Sequence, residues 1–180
     1  VYDFPVTSAR QVIRLTPAQG GGQECKSFKL VTSLPPDEQS TDIDFFGNET
    51  IYLSFSEVFT KLEITTTSVV SVDRPPPPMA ALTPAWTTIA DAALAARDLS
   101  PRSPVHMLYQ SRKVPLVPEV TAYGARSFPT ASTPVLTGAL DLMTRIKTDF
   151  AYDPEATDVT TPVGEAFQKR RGVCQDFAHI

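Results

Sequence analysis

Apolar and polar positions alternate through the first 73 residues in the manner of strands buried on one face only. Gln11-Val12-Ile13-Arg14-Leu15 alternates, Phe28-Lys29-Leu30-Val31 does so again, and Thr50-Ile51-Tyr52-Leu53-Ser54-Phe55 is rich in β-forming side chains. The stretch from Lys61 to Val72 carries Ile64, Thr65, Thr66, Thr67, Val69, Val70 and Val72, a β-branched run that predicts a further strand. Turn-forming clusters punctuate these runs: Gln19-Gly20-Gly21-Gly22, Pro35-Pro36-Asp37 and Phe46-Gly47-Asn48-Glu49. The last separates Ile43-Asp44-Phe45 from Ile51-Tyr52-Leu53 and predicts a hairpin with a three-residue loop. Short strands at this spacing predict a small antiparallel β-sandwich over residues 1–73.

The pattern then changes. Arg74-Pro75-Pro76-Pro77-Pro78 predicts polyproline II, a spacer of about 12 Å. A domain boundary at 74–82 explains this run with fewer assumptions than a Pro-x-x-Pro ligand for an SH3-like partner. Residues 83–180 follow a helical period. Thr83-Pro84, Thr133-Pro134 and Thr161-Pro162 each place a hydroxyl before a proline suited to the first helical position. They predict helices over about 84–97, 134–149 and 162–171, by the capping rules. Leu136, Leu140, Met143, Ile146 and Phe150 give the second helix one apolar face, and Gly172 is the expected stop of the third. Residues 101–123 predict a helical turn at Met107-Leu108-Tyr109 and an extended piece from Val114 to Pro118.

Composition narrows the function classes. Hydrophobic residues make up 42% of the 180 and charged residues 20%, an ordinary globular balance. Twenty acidic against sixteen basic residues leave a net charge of −4, which speaks against a dedicated nucleic-acid binder. No apolar run approaches the roughly 20 residues that a membrane-spanning helix needs. Seventeen prolines indicate short elements joined by stiff turns. Two cysteines, Cys25 and Cys174, build no disulfide framework, and so sparse a use of cysteine fits the cytoplasm. No His, Cys or Asp cluster has metal-ligand spacing, and Gly20-Gly21-Gly22 lacks the lysine and following helix of a phosphate loop. No metal or cofactor is therefore expected. The chain opens on Val1 without a charged and then apolar leader, and it stops at Ile180 inside an apolar pattern. Both ends read as cuts in a longer protein.

Cys174 is the candidate for chemistry. Val173-Cys174-Gln175-Asp176-Phe177-Ala178-His179-Ile180 reads as the start of a helix, and a thiol there faces the partial positive charge of unpaired amides. That field favours a thiolate, and the same amides can donate to an oxyanion formed by its attack on a carbonyl. A free cysteine is otherwise a small buried hydrophobe, and position alone leaves both readings open. Neither histidine is placed by spacing to serve as a base. His179 lies five residues on, about 140° around a helix from Cys174, and His106 sits in a proline-rich connection. Asp176 points about 200° away and reads as a first-turn carboxylate matched to the helix dipole. Lys169-Arg170-Arg171 reads best as last-turn cations rather than as a device for ionising the thiol. Gln175 could shape an oxyanion site or be an ordinary exposed helix position. Cys25 reads as incidental.

Arg171-Gly172-Val173-Cys174-Gln175-Asp176-Phe177-Ala178-His179 resembles the nucleophile motif of bacterial transglutaminase-like cysteine hydrolases, with the Gly-x-Cys-x-x-Phe-Ala pattern of the wider superfamily. Phe150-Ala151-Tyr152-Asp153-Pro154, Thr160-Thr161-Pro162-Val163 and Glu165-Ala166-Phe167 are similar to the segment leading into that cysteine. Tyr2 to Asp73 resembles the β-rich N-terminal region of the bacterial branch. The resemblance implies an α+β chain: an N-terminal antiparallel β-sandwich, then the helical first half of a papain-like transglutaminase core over 83–180. It also implies a Cys-His-Asp arrangement in which Cys174 attacks an amide carbonyl and a histidine, oriented by a carboxylate, serves as base and then acid. In the family those two partners follow the cysteine helix, which places them after Ile180.

The expected function is that of a protease or amidase acting on a peptide or other amide through a thioacyl intermediate on Cys174. Hydrolysis is favoured over cross-linking. The rival is a non-catalytic binding or scaffold module that keeps the fold without the triad. Half a core is also expected to leave helix faces such as Leu136, Leu140 and Met143 uncovered and prone to association.

Overall fold

The alternating segments become five strands: β1 (Ala9–Ile13), β2 (Gln23–Thr32), β3 (Glu38–Ile43), β4 (Glu49–Phe55) and β5 (Ile64–Val72). The computed structural model describes residues 1–180, in two compact units, Val1–Pro76 and Pro77–Ile180. In the first unit β1, β4 and β3 form one antiparallel sheet with β4 central, while β2 and β5 form a second. Period-two alternation sends Ile51, Leu53 and Phe55 of β4 inward and leaves Tyr52 on the other face. The inward set packs with Ile13, Phe59, Phe28, Leu30, Leu34, Leu62 and Ile64, so both sheets share one core, that of a small sandwich.

The β3–β4 hairpin differs from the expected one. β3 is the polar, wholly exposed sequence Glu-Gln-Ser-Thr-Asp-Ile, and its last pair is Ile43↔Glu49, leaving a five-residue loop, 44–48. Asp44 organises that loop. Its carboxylate accepts from the amides of Phe46 and Asn48, at 3.0 and 2.9 Å, and from Arg14 Nε at 2.9 Å. Gly47 closes the turn with a φ of +82°, a conformation a side chain would penalise. These local bonds compete with pairing and end the strand at Ile43.

The second unit contains α1 (Trp86–Ala95), α2 (Pro118–Ala125), α3 (Val135–Asp149), α4 (Val163–Lys169) and α5 (Cys174–His179). Short 3₁₀ turns occupy Ala80–Leu82 and Pro104–Met107, and β6 (Ala151–Tyr152) pairs in parallel with β7 (Arg171–Gly172). The threonines do not cap their own helices as expected: α1, α3 and α4 start after Ala85, Pro134 and Pro162, with no side-chain cap. Thr83 instead accepts from the Leu136 amide of α3 at 3.2 Å. The Trp86 amide donates to Thr133 O and the Val135 amide to Pro84 O, so the two helix starts satisfy each other's orphan donors. Thr161 accepts from the Asp158 amide.

Helix α2 begins at Pro118, where the expected extended piece ends, in a stretch for which the sequence pattern predicted no helix, and it contributes Tyr123 to the core of the unit. Tyr123, Phe150 and Phe167 are buried together, with Val120, Leu142, Ile146, Phe177 and Ile180 packed around them. The apolar face of α3 is only partly used, since Leu140 is 43% and Met143 61% exposed. Together with Phe128, Leu142, Ile146 and Phe177, Met143 lines an open apolar depression of about 440 Å³. No helix is long and apolar enough to cross a membrane.

Candidate active site at the start of α5

The chain reaches Cys174 through a sequence of backbone constraints. α4 ends not at Gly172 but at Arg170, whose φ of 53° turns the chain out of the helix. Strand β7 then pairs with β6, through Ala151 N–H to Arg170 O and Asp153 N–H to Gly172 O, both at 2.9 Å. Val173 is extended, with φ −114° and ψ 179°, and Cys174 takes the first helical position of α5. Its thiol is exposed, and the first-turn amides beside it have no carbonyl one turn back to bond.

Asp176 sits in the first turn of α5 as expected, and it is buried there, at 2% exposure. Its Oδ2 accepts from the Val173 amide at 2.8 Å and from the Thr157 hydroxyl at 2.6 Å. Gly172 makes room for it, because a methyl group there would run into this carboxylate. The spacing of an acidic residue three positions after an N-cap was the sequence signal for the first bond. Nothing in the sequence announced Thr157.

An aromatic cluster supports α5 from below. Phe177 meets Phe150 edge to face at 6.0 Å, and Phe150 and Tyr123 each meet Phe167, at 5.7 and 5.5 Å. Arg170 lies over the Phe167 and Phe150 rings, and Arg145 over Tyr123 at 4.1 Å. The Tyr123 hydroxyl donates to Asp149 at 2.8 Å, and burial together with that carboxylate pushes the phenol above its ordinary pKa.

Several of the remaining candidates have partners of their own. His106 Nε2 lies 3.0 Å from the Ser100 carbonyl, and His179 is the last residue of α5. Lys169 pairs with Glu165 at 2.8 Å, and Arg171 with Asp153 at 3.4 Å. Arg170 and Arg171 thus lie beyond α4 and do not form its last turn. Gln175 is half-buried. Cys25, also half-buried, sits beside a bulge of β2 with its Sγ 3.4 Å from Ser27 O. No group of three His, Cys, Asp or Glu side chains is placed to hold a metal.

Comparison with known proteins agrees with this architecture. Residues 1–71 match the bacterial transglutaminase-like N-terminal region. Uncharacterised proteins of Mycobacterium tuberculosis and Mycobacterium bovis are 33% identical over 193 residues, covering 99% of this chain and 56% of theirs. One of Mycobacterium leprae is 27% identical over 180 residues, with 100% of this chain and 61% of its own covered. The chain thus spans little more than half the length of these relatives. A crystal structure described as that of a "putative cysteine protease" from Cytophaga hutchinsonii superposes with a TM-score of 0.71 at 18% identity, over 97% of this chain and 55% of that one. Such a likeness establishes a shared fold. Residues 1–71 thus match the bacterial transglutaminase-like N-terminal region, and the α+β fold of the cysteine-protease structure runs through nearly all of the chain.

Proposed function

We propose that Cys174 is the nucleophile of a cysteine hydrolase that cleaves amide bonds in a peptide or related substrate. The observation that carries this reading is the exposed thiol at the first position of α5, beside amides with no helical partner. Attack of the thiolate sulfur on the amide carbonyl forms a C–S bond and places negative charge on oxygen, which first-turn amides can receive. Collapse breaks the C–N bond, and the amine departs with a proton from the general acid. Water then hydrolyses the thioester, releasing a carboxylic acid and restoring the thiol. The histidine and the carboxylate that orients it are assigned, on family resemblance, to sequence after Ile180. The proposal therefore concerns the whole protein.

The test is alkylation of the full-length protein near neutral pH, followed thiol by thiol in peptide mass spectra. Cys174 should react with iodoacetamide at least about tenfold faster than Cys25, as expected of an activated thiol. Comparable rates for the two would overturn the reading. Cys174→Ala should abolish amide hydrolysis, whereas a binding or scaffold module would keep its function in that variant.

A further inference from the structure

We propose that Asp176 is a positioning residue for Cys174, clamping the turn before the thiol to the loop that follows β6; this inference rests on the nucleophile reading above. A carboxylate at the third position of an exposed helix ordinarily sits in water and needs no partner beyond the helix dipole. Asp176 is 2% exposed, and burial of that kind is costly unless hydrogen bonds replace the lost water. Two do so, and both converge on Oδ2: the Val173 amide at 2.8 Å and the Thr157 hydroxyl at 2.6 Å. The space comes from Gly172, where any side chain would collide with the carboxylate. One oxygen thus joins two stretches of chain, the loop at Thr157 and the residue before the thiol, in space that Gly172 leaves open.

The consequence for Cys174 is geometric. With its amide held by Asp176, Val173 is fixed in the extended conformation that aims the first turn of α5. The donors left free near the thiol are then those of the helix itself. The clamp also fastens the 153–161 loop, which is tied on its other side by Lys169 to Ala156 O. By charge alone, the carboxylate would act in the opposite sense, because an anion two residues away disfavours a thiolate. Position and charge therefore predict opposite results when the group is removed.

The experiment compares Asp176→Ala, Asp176→Asn and Thr157→Val in the full-length protein, reading Cys174 alkylation and hydrogen exchange at the Val173 amide. Asp176→Ala should slow alkylation about tenfold, the scale of one lost charge-assisted hydrogen bond. Asp176→Asn keeps an acceptor oxygen of the same shape and should recover to within about threefold, since position rather than charge is restored. Thr157→Val should fall between them. Asp176→Ala at or above the wild-type rate, in a protein that melts cooperatively, would overturn the proposal. If Asp176→Ala does not fold, Asp176→Asn faster than wild type together with Thr157→Val at the wild-type rate would overturn it equally. Failure of the nucleophile reading is separate: it would appear as wild-type Cys174 no more reactive than Cys25, while loss of Val173 amide protection in Asp176→Ala would still report the clamp.

Discussion

The guanidinium of Arg170 lies 4.1 Å from the centre of the Phe167 ring, while the backbone of Arg170 itself holds a φ of 53°. One residue thus combines a favourable cation–π contact with an unfavourable left-handed backbone, at the turn that delivers the chain toward Cys174. An exposed contact of this type contributes about 0.5–1 kcal/mol, and left-handed backbone costs a non-glycine residue about 1–2 kcal/mol. Arg170→Gly should therefore match the wild type within about 1 kcal/mol, whereas Arg170→Ala should be about 1 kcal/mol less stable than Arg170→Gly. Urea unfolding checks the order; equal stability of the two variants would contradict it.

Tyr123 should remain protonated to higher pH than an ordinary tyrosine, because burial first and the Asp149 carboxylate second oppose its ionisation. A folded pKa above the unfolded one gives stability that is full below the ordinary value and is lost as pH rises through the folded value. Tyr123→Phe should cost about 1 kcal/mol near neutrality, the net worth of its bond to Asp149. Its unfolding free energy should also decline less steeply in alkali than that of the wild type. Parallel alkaline profiles would refute the assignment.

Asp44 behaves in the opposite sense. Its hydrogen bonds from the Asn48 side chain and the Asn48 amide, and then Arg14, hold its carboxyl below the ordinary aspartate value. Such a group stabilises the fold above its unfolded pKa, and the contribution disappears as pH falls through the lowered folded value. The Asn48 amide should thus be protected from exchange at neutral pH and lose protection on acidification below about pH 4. Asp44→Ala should show weak protection there at every pH. An acid-insensitive wild-type amide would count against this.

Leu53 is 2% exposed and Tyr52, its neighbour on β4, is 42% exposed. Leu53→Ala should cost about 2–5 kcal/mol through lost burial and a cavity between the sheets. Tyr52→Ala should cost well under half as much, because its side chain lies on the outer face. Chemical unfolding of the two variants reads the sheet's inward register directly.

Leu140 and Met143 leave apolar surface open on α3. The 180-residue chain studied alone should associate as its concentration rises, and Met143→Glu should reduce that association. Light scattering that reports a compact monomer at all concentrations would contradict this expectation.

Much of the first unit was legible because strand alternation is local: Ile51, Leu53 and Phe55 announce a buried face without reference to the rest of the chain. β3 was not, since Glu38–Ile43 has no apolar alternation and is a strand only because β4 offers its edge. α2 escaped notice for a similar reason. Its eight residues bury only Tyr123, too little for a helical period to show.

Cys174 stood out as the candidate nucleophile through the resemblance of the motif around it, since its position at a helix start alone left both readings open. What holds that thiol was decided by contacts between distant stretches. Thr157 reaches Asp176 across 19 positions, Thr83 caps α3 across 53, and Arg170 leaves the helix two residues before the glycine expected to end it. Hydrogen-bond satisfaction and burial are properties of neighbours in space, and a carboxylate that reads in sequence as a partner of the helix dipole becomes a clamp only when another segment folds over it.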